Sequence, residues 1–181
     1  MQKTYTVNLD GYKEELPVMK LPSGVGIAFF NLHGNVKMTE HCGKALSKYL
    51  ADCDVLITAE SKGLQLCHVT ARELGHDYYA VVRKSKKLYM QDGVEAQIES
   101  SITTGKPQSY YLSKHDVDLI KGKKVGIVDD VVSSGASLKG LVAIVEKAGG
   151  IVYKKAFCLA EDTAKDLKDI YYLDTLPLFF D

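Results

Sequence analysis

The stretch VGIVDDVVSSGAS, residues 125–137, carries more information about the fold than any other part of the chain. An apolar run typical of a buried strand ends on two adjacent carboxylates, Asp129 and Asp130, and small residues then lead into a helical pattern. Because burying unpaired charge is costly, we expect that the two carboxylates do not both face the core. Small residues that open a helix leave backbone N–H groups free to hold a phosphate. Carboxylates can accept hydrogen bonds from hydroxyl groups or bind a metal ion, and free amides can bind a phosphate. Together these groups fit a sugar phosphate as the ligand.

Outward from this stretch, the chain alternates between strand-like and helix-like segments. Apolar runs predict strands at residues 27–30, 55–58, 78–82, 124–128 and 151–159. Apolar residues at helical spacing predict helices at residues 37–50, 64–74 and 138–148. This order predicts an α/β fold with a mainly parallel, twisted sheet flanked by helices. Ligands bind such sheets beyond the carboxyl ends of the strands, where we expect Glu60, Arg83 and Asp129.

Two segments fall outside this alternation. Alternating apolar residues on either side of Asp10-Gly11 predict an N-terminal hairpin. Residues 88–108 have mixed polarity and weak periodicity, and we expect an excursion or a mobile loop there.

Composition narrows the class of protein. A length of 181 residues predicts one domain. The 23 Lys and Arg residues balance 23 Asp and Glu residues, so no general attraction to nucleic acid or to a membrane is expected. The four cysteines lack the spacing of a metal site and read as reduced core residues. No apolar signal core or membrane-spanning run is visible, so we expect a cytoplasmic protein.

The opening stretch resembles the ribose-phosphate loop of type I phosphoribosyltransferases, which bind phosphoribosyl pyrophosphate (PRPP). Family members read as an apolar run, Asp-Asp or Glu-Asp, two variable residues and Thr-Gly-Gly-Thr, where this chain has Ser-Gly-Ala-Ser. The resemblance implies that Asp129 and Asp130 are catalytic residues that hold the ribose hydroxyls and a metal ion. It also implies that the 5-phosphate of PRPP lies in a loop of six residues, which are Val132, Ser133, Ser134, Gly135, Ala136 and Ser137.

Two further segments resemble pyrophosphate-binding segments of the family. AESKG, residues 59–63, is similar to a turn of adenine phosphoribosyltransferases, with Lys62 where the family usually has Arg. VVRKSKK, residues 81–87, is similar to a strand followed by Arg-Lys-x-x-Lys. The residues implied to bind pyrophosphate are Ser61, Lys62, Gly63, Arg83, Lys84 and Lys87, with Lys86 in support. An ordinary turn and a solvated basic edge are the alternative interpretations.

GVGIAFFNL, residues 24–32, resembles the segment that covers the base in adenine enzymes. Ile27 and Phe29 are the implied base-binding residues, since apolar side chains suit the faces of a flat base. A plain core strand is the alternative. The resemblance implies one domain over residues 1–181, with a small N-terminal hood at about 1–35 that covers the base and a mobile loop at about 88–110.

One feature departs from the adenine enzymes. Their mobile loop carries a glutamate thought to exchange a proton with the base, and Thr103 stands near that place, with Glu95 and Glu99 close by. The loop around residues 101–103 is also similar to that of xanthine phosphoribosyltransferases.

The implied reaction joins adenine and PRPP, with Mg²⁺ bound mainly through PRPP, into AMP and pyrophosphate. Xanthine or another 6-oxopurine as the base, and a non-catalytic PRPP-binding regulator, are the alternatives. A homodimer is implied, because family members are commonly dimers.

Overall fold

The computed structural model describes residues 3–98 and 108–180. The strands in these ranges are β1 (Thr4–Leu9), β2 (Tyr12–Lys20), β3 (Gly26–Ala28), β4 (Val55–Ala59), β5 (Ala80–Val82), β6 (Val94–Ile98), β7 (Gln108–Leu112), β8 (Lys124–Val132), β9 (Ile151–Glu161), β10 (Tyr171–Leu176) and β11 (Leu178–Phe179). The helices are α1 (Val36–Leu50), α2 (Gly63–Glu73), α3 (Lys114–Ile120) and α4 (Ala136–Lys147), with short 3₁₀ helices at Leu88–Met90 and Asp162–Asp166.

The central sheet is parallel and has the strand order β10-β9-β8-β4-β5. One core cluster packs α1 and α2 against one face, and a second packs α4 against the other. This confirms the predicted α/β architecture. The strand order reverses between β4 and β8, so a crevice opens at their carboxyl ends, where doubly wound sheets bind ligands.

The N-terminal strands form a second, antiparallel sheet in the order β1-β2-β3-β11. Asp10 and Gly11 have positive φ angles of 52° and 94°, as a tight hairpin turn between β1 and β2 requires. The hairpin is therefore confirmed. The fourth strand comes from the other end of the chain, because Leu178 pairs with Ile27 and Phe179 with Gly26. The hood is thus built from both termini and not from the N-terminus alone.

Residues 88–98 contain a short 3₁₀ helix and then β6. β6 and β7 form a two-stranded antiparallel ribbon, in which Val94 of β6 lies opposite Leu112 of β7. The ribbon packs closely on α4, because a Cβ atom on Gly140 would overlap the Tyr110 ring. The predicted excursion or mobile loop therefore includes a strand, and its mobility stays a prediction. Residues 99–107, including Thr103 and Glu99, lie outside the described residues.

Two remaining expectations concern the cysteines and the membrane. All four cysteines are buried and free, as the sequence predicted. Within residues 3–98 and 108–180, the helices are too short or too polar to cross a lipid bilayer.

Candidate active site

The acid pair lies inside β8 and not beyond its end. The sequence predicted a strand that ends at Val128, but β8 continues to Val132 and Asp129 pairs with Phe157 of β9. Both carboxylates are buried, with 8% of Asp129 and 6% of Asp130 exposed. The expectation that they would not both face the core was therefore wrong. The burial is tolerated because Lys62 and Ser61, in the turn just before α2, contact the two carboxylates.

Lys62 is the partner of Asp130. It stands at the N-terminus of α2, and its Nζ lies 2.8 Å from Asp130 Oδ2. The same ammonium donates a hydrogen bond to the carbonyl oxygen of Phe30 at 3.1 Å. The sequence assigned Lys62 to pyrophosphate, and that role stays a prediction. The structure adds contacts to the acid pair and to the hood that the sequence did not predict.

Asp129 is held by hydrogen bonds and by close packing. Its Oδ1 accepts the backbone N–H of Asp130 at 2.9 Å and the Ser61 hydroxyl at 3.5 Å. Burial, then the charge of Asp130, raises the pKa of the Asp129 carboxyl to about 7. A Cβ atom on Gly63 would lie 2.6 Å from Asp129 Oδ1, so a glycine is needed for α2 to approach β8 this closely. The turn of residues 61–63 therefore contacts both acids, through a hydrogen bond from Ser61, an ion pair from Lys62 and close packing at Gly63.

The predicted phosphate loop forms a small cup between β8 and α4. Gly135 precedes the first residue of α4 with a φ angle of 74°, a conformation that favours glycine. Glycine has no side chain to cap the helix, and the amide of Ala136, the first residue of α4, donates to Ser134 Oγ at 3.4 Å. The positive end of the helix dipole faces the cup and favours an anion there. The cup has a volume of about 40 Å³, and its lining includes Asp129 and residues 132–137. The sequence assigned residues 132–137 to the 5-phosphate of PRPP, and that role stays a prediction.

Arg83 lies at the same edge of the sheet. Its backbone forms two hydrogen bonds with Tyr111, which join the end of β5 to β7. Its guanidinium forms an ion pair with Glu60, the first residue after β4. Lys84 and Lys87 are exposed beyond it. The basic segment therefore faces solvent at the carboxyl edge of the sheet, two strands away from the acid pair, and pyrophosphate binding stays a prediction.

The predicted base wall lies where the hood meets the sheet. Phe30 is buried, whereas Phe29 is 44% exposed and Ile27 is partly buried. The Phe29 ring centroid lies 5.9 Å from the Lys62 Nζ. An exposed aromatic ring this close to the acid pair is available to a ligand, although the assignment to a base stays a prediction.

Sequence reasoning missed a third carboxylate at this edge. β9 was predicted to end at Leu159, but it continues to Glu161. Burial, then the charge of Asp162, raises the pKa of Glu161, and Lys62 opposes this shift. An apolar run that ends in two acids is the same signal that revealed Asp129, and it could have revealed Glu161.

Glu95, which the sequence offered for proton exchange with the base, lies on β6. Its side chain accepts hydrogen bonds from Gln97 and Ser109, which hold the pKa of this carboxyl below its usual value. Its role in proton exchange stays a prediction.

The donor set fits a metal ion that takes most of its ligands from a substrate. Among the described residues, no group of three metal-ligating His, Cys, Asp or Glu side chains is present. Two adjacent carboxylates remain, and Mg²⁺ is commonly bound by one or two carboxylates together with phosphates and water. Taken together, the crevice combines paired acids, a phosphate cup, exposed cations and an apolar wall. The fold and these groups define the class, an α/β protein with a crevice suited to a phosphorylated ligand rich in hydroxyl groups.

Comparison with known proteins identifies the family. A sequence model of the phosphoribosyl transferase domain matches residues 31–177. A xanthine phosphoribosyltransferase of Bacillus cereus is 30% identical over 150 residues, which are 78% of this chain and 73% of the relative. A xanthine phosphoribosyltransferase of Bacillus thuringiensis has the same identity and coverage.

Solved structures give the same fold. Adenine phosphoribosyltransferase from Thermoanaerobacter pseudethanolicus superposes with a TM-score of 0.73 and 25% identity, covering 88% of this chain and 95% of the other. The Giardia lamblia adenine enzyme, complexed with 9-deazaadenine, superposes with a TM-score of 0.68 and 15% identity, covering 88% and 93%. The chain therefore belongs to the phosphoribosyltransferase family and has the type I fold. It is a pentosyltransferase, as its resemblance to the family implied.

Proposed function

We propose that this enzyme transfers the phosphoribosyl group of PRPP to a free purine, releasing pyrophosphate and forming a purine nucleoside monophosphate. One observation carries the proposal: the buried pair Asp129 and Asp130 leads directly into the phosphate cup at the switch point of the sheet. Relatives named for adenine and for xanthine support a purine as the base. We take adenine as the first candidate, because the structural neighbours and the residue 24–32 segment both favour it.

In the proposed reaction, the bond from the anomeric carbon to pyrophosphate breaks and a bond to a ring nitrogen of the purine forms. PRPP brings its own leaving group, so the protein supplies no nucleophile. Asp129 and Asp130 accept hydrogen bonds from the ribose hydroxyls, and the amides that begin at Gly135 hold the 5-phosphate. Arg83 and Lys84 stabilise the charge that develops on the departing pyrophosphate. The purine ring proton leaves to solvent or to a nearby base.

Mg²⁺ is part of this proposal. Asp129 and Asp130 would hold it together with oxygens of the substrate, and the ion would neutralise charge on the pyrophosphate. The segment of about residues 88–110, proposed as the mobile loop, would close over PRPP and exclude water that would otherwise hydrolyse it.

Xanthine is the second candidate base. Sequence relatives at 30% identity carry that name, and residues 101–103 are similar to their loop. Thr103 near the position of the adenine enzymes' glutamate also favours it. A regulator that binds PRPP without turnover is the remaining alternative, and it predicts saturable PRPP binding alone.

Release of pyrophosphate from PRPP and Mg²⁺ tests these candidates. Adenine, hypoxanthine, guanine, xanthine, uracil and orotate are offered separately. Turnover with adenine above all other bases is the expected result, and the highest kcat/KM with xanthine would support the second candidate. No turnover with any base, together with saturable PRPP binding, would contradict the enzyme and favour the regulator.

The proposal includes a cytoplasmic homodimer. Leu88 and Tyr89 are 90% and 65% exposed beside the basic segment, and a second copy would cover this apolar pair. Sedimentation velocity on the purified protein distinguishes the dimer from a monomer.

A further inference from the structure

Lys62 joins two parts of the proposed site that the sequence assigns to different groups of the substrates. Its Nζ lies 2.8 Å from Asp130 Oδ2, in the proposed ribose site. The same atom donates to the Phe30 carbonyl oxygen at 3.1 Å and lies over the Phe29 ring, in the proposed base wall. One ammonium therefore bridges the hood and the central sheet.

The bridge reaches a segment that lies beyond the paired part of the hood sheet. β3 ends at Ala28, so Phe29 and Phe30 lie beyond the last paired residues of the hood sheet. The Phe29 amide still bonds the carbonyl oxygen of Pro17, but the next carbonyl, that of Phe30, bonds Lys62. Removing the ammonium would release that carbonyl and leave the buried carboxylate of Asp130 without its ion-pair partner.

We propose that Lys62 is a positioning residue for the base, because it ties the segment that carries Phe29, the exposed residue of the base wall, to Asp130 of the proposed ribose site. This inference rests on the proposed function, and it gives Lys62 a role that pyrophosphate binding does not include. If Lys62 only neutralised pyrophosphate, its replacement would weaken the binding of ligands that carry pyrophosphate. Because it is proposed to hold the base wall, its replacement should weaken the binding of any ligand that carries the base.

Lys154 provides a matched control. Its Nζ lies 3.0 Å from Asp52 Oδ2, donates to the Tyr49 carbonyl oxygen at 2.7 Å and lies 4.9 Å from the Tyr49 ring centroid. These are the same three kinds of contact, but they join the early part of β9 to the end of α1, away from the carboxyl edge of the sheet.

Calorimetric titration of two probes tests the inference. The probes are ribose 5-phosphate and whichever of AMP, XMP, IMP and GMP the wild-type protein binds most tightly. The Kd of ribose 5-phosphate divided by the Kd of the nucleotide measures the contribution of the base to binding. Neither probe carries pyrophosphate. Because both titrations use one sample, an unfolded fraction does not change the ratio.

In Lys62→Met we expect the ratio to fall roughly tenfold, as loss of a charged hydrogen bond predicts. Lys62→Arg retains the charge and should recover part of the ratio, whereas Lys154→Met should leave it unchanged. An unchanged ratio in Lys62→Met, or an equal fall in Lys154→Met, would overturn the inference. Wild-type protein that binds no nucleoside monophosphate more tightly than ribose 5-phosphate would overturn the proposed function itself, and the inference with it.

Discussion

At the scale of single residues, the site depends on charges that are buried in pairs. Asp130 keeps its ion pair with Lys62, and Asp129 responds to burial through a raised pKa. A raised pKa in a carboxyl means that folding disfavours its ionised form. Asp129 is therefore expected to reduce stability at neutral pH, which is a common property of groups retained for ligand binding.

This leads to a prediction about pH. The folded chain holds a proton on Asp129 that the unfolded chain releases above about pH 4, so the free energy of unfolding falls between about pH 4 and pH 7. We expect Asp129→Asn to be more stable than wild type at pH 8 by about 1–3 kcal/mol, with little difference at pH 4. Urea unfolding at both pH values measures this, and a variant that is less stable at pH 8 would contradict it.

The acid pair is also predicted to be essential for turnover. Replacing Asp129 and Asp130 together with Asn preserves their shape but removes the charge that is proposed to hold the ribose hydroxyls and the metal ion. We expect turnover to fall at least about 100-fold, as for other groups that stabilise charge at a reacting centre. Circular dichroism should show an intact fold. Unchanged activity would refute the assigned ribose contact.

Arg83 allows a third prediction at this scale. Arg83→Ala should raise the KM for PRPP about tenfold or more, because a charged contact to pyrophosphate is lost, and should change the KM for the base less. Arg72→Ala is the matched control, since Arg72 also forms ion pairs with carboxylates, Glu40 and Glu73, but on the surface of α2. A larger effect on the base than on PRPP would show that the pyrophosphate role is misplaced.

At the scale of elements, the site depends on how closely α2 approaches β8. Gly63 begins α2 in contact with Asp129, and a side chain there would also lie 2.7 Å from Thr58 Oγ1. The first turn of α2 and the end of β8 therefore fit only with glycine at this position. The turn that leads into α2 supplies Ser61 and Lys62 to the acids from this one junction.

Gly63→Ala is accordingly predicted to reduce both stability and catalysis. Overpacking should cost about 1–3 kcal/mol, and displacement of α2 should raise the KM for PRPP. Gly126→Ala is the control, because its Cβ atom would lie 2.8 Å from Leu56 Cδ2, near the opposite end of β8. That variant should lose stability with KM values near those of wild type. Equal KM changes in both variants would contradict a specific role for the α2 junction.

At the scale of the whole molecule, the two chain ends complete the hood. β11 pairs with β3, and the Phe179 ring lies 5.9 Å from the Tyr5 ring in an edge-on arrangement. A Cβ atom on Gly26, beside the base wall, would lie 3.0 Å from the Cβ atom of Phe179, so the two strands pack closely there. Closure of the hood therefore depends on the last residues of the chain.

Phe179→Ala tests this dependence. Loss of a partly buried ring should cost about 1–2 kcal/mol and should loosen β3, so the KM for the base should rise more than the KM for PRPP. Thermal unfolding and steady-state kinetics measure the two effects. Exposed Phe180, the next residue, is the control, and Phe180→Ala should change neither. A rise in the KM for PRPP alone would contradict the proposed hood.

The local sequence pattern by itself determined much of the secondary structure of this protein and part of its candidate site. The strands and helices of the alternating core, the hairpin at Asp10-Gly11 and the loop that ends at Ser137 follow from periodicity and turn chemistry, which act between near neighbours. The meeting of Glu60, Arg83 and Asp129 at one edge also followed, because parallel strands present their carboxyl ends together.

Only the tertiary structure decided the rest. Burial of both Asp129 and Asp130, the bridge formed by Lys62 and the entry of β11 into the hood each join segments that are far apart in sequence. The extension of β8 through the acids depends on pairing with β9, and the order of the β6–β7 ribbon depends on α4. Whether a charge can be buried depends on which partner the fold brings to it, and local pattern does not contain that partner.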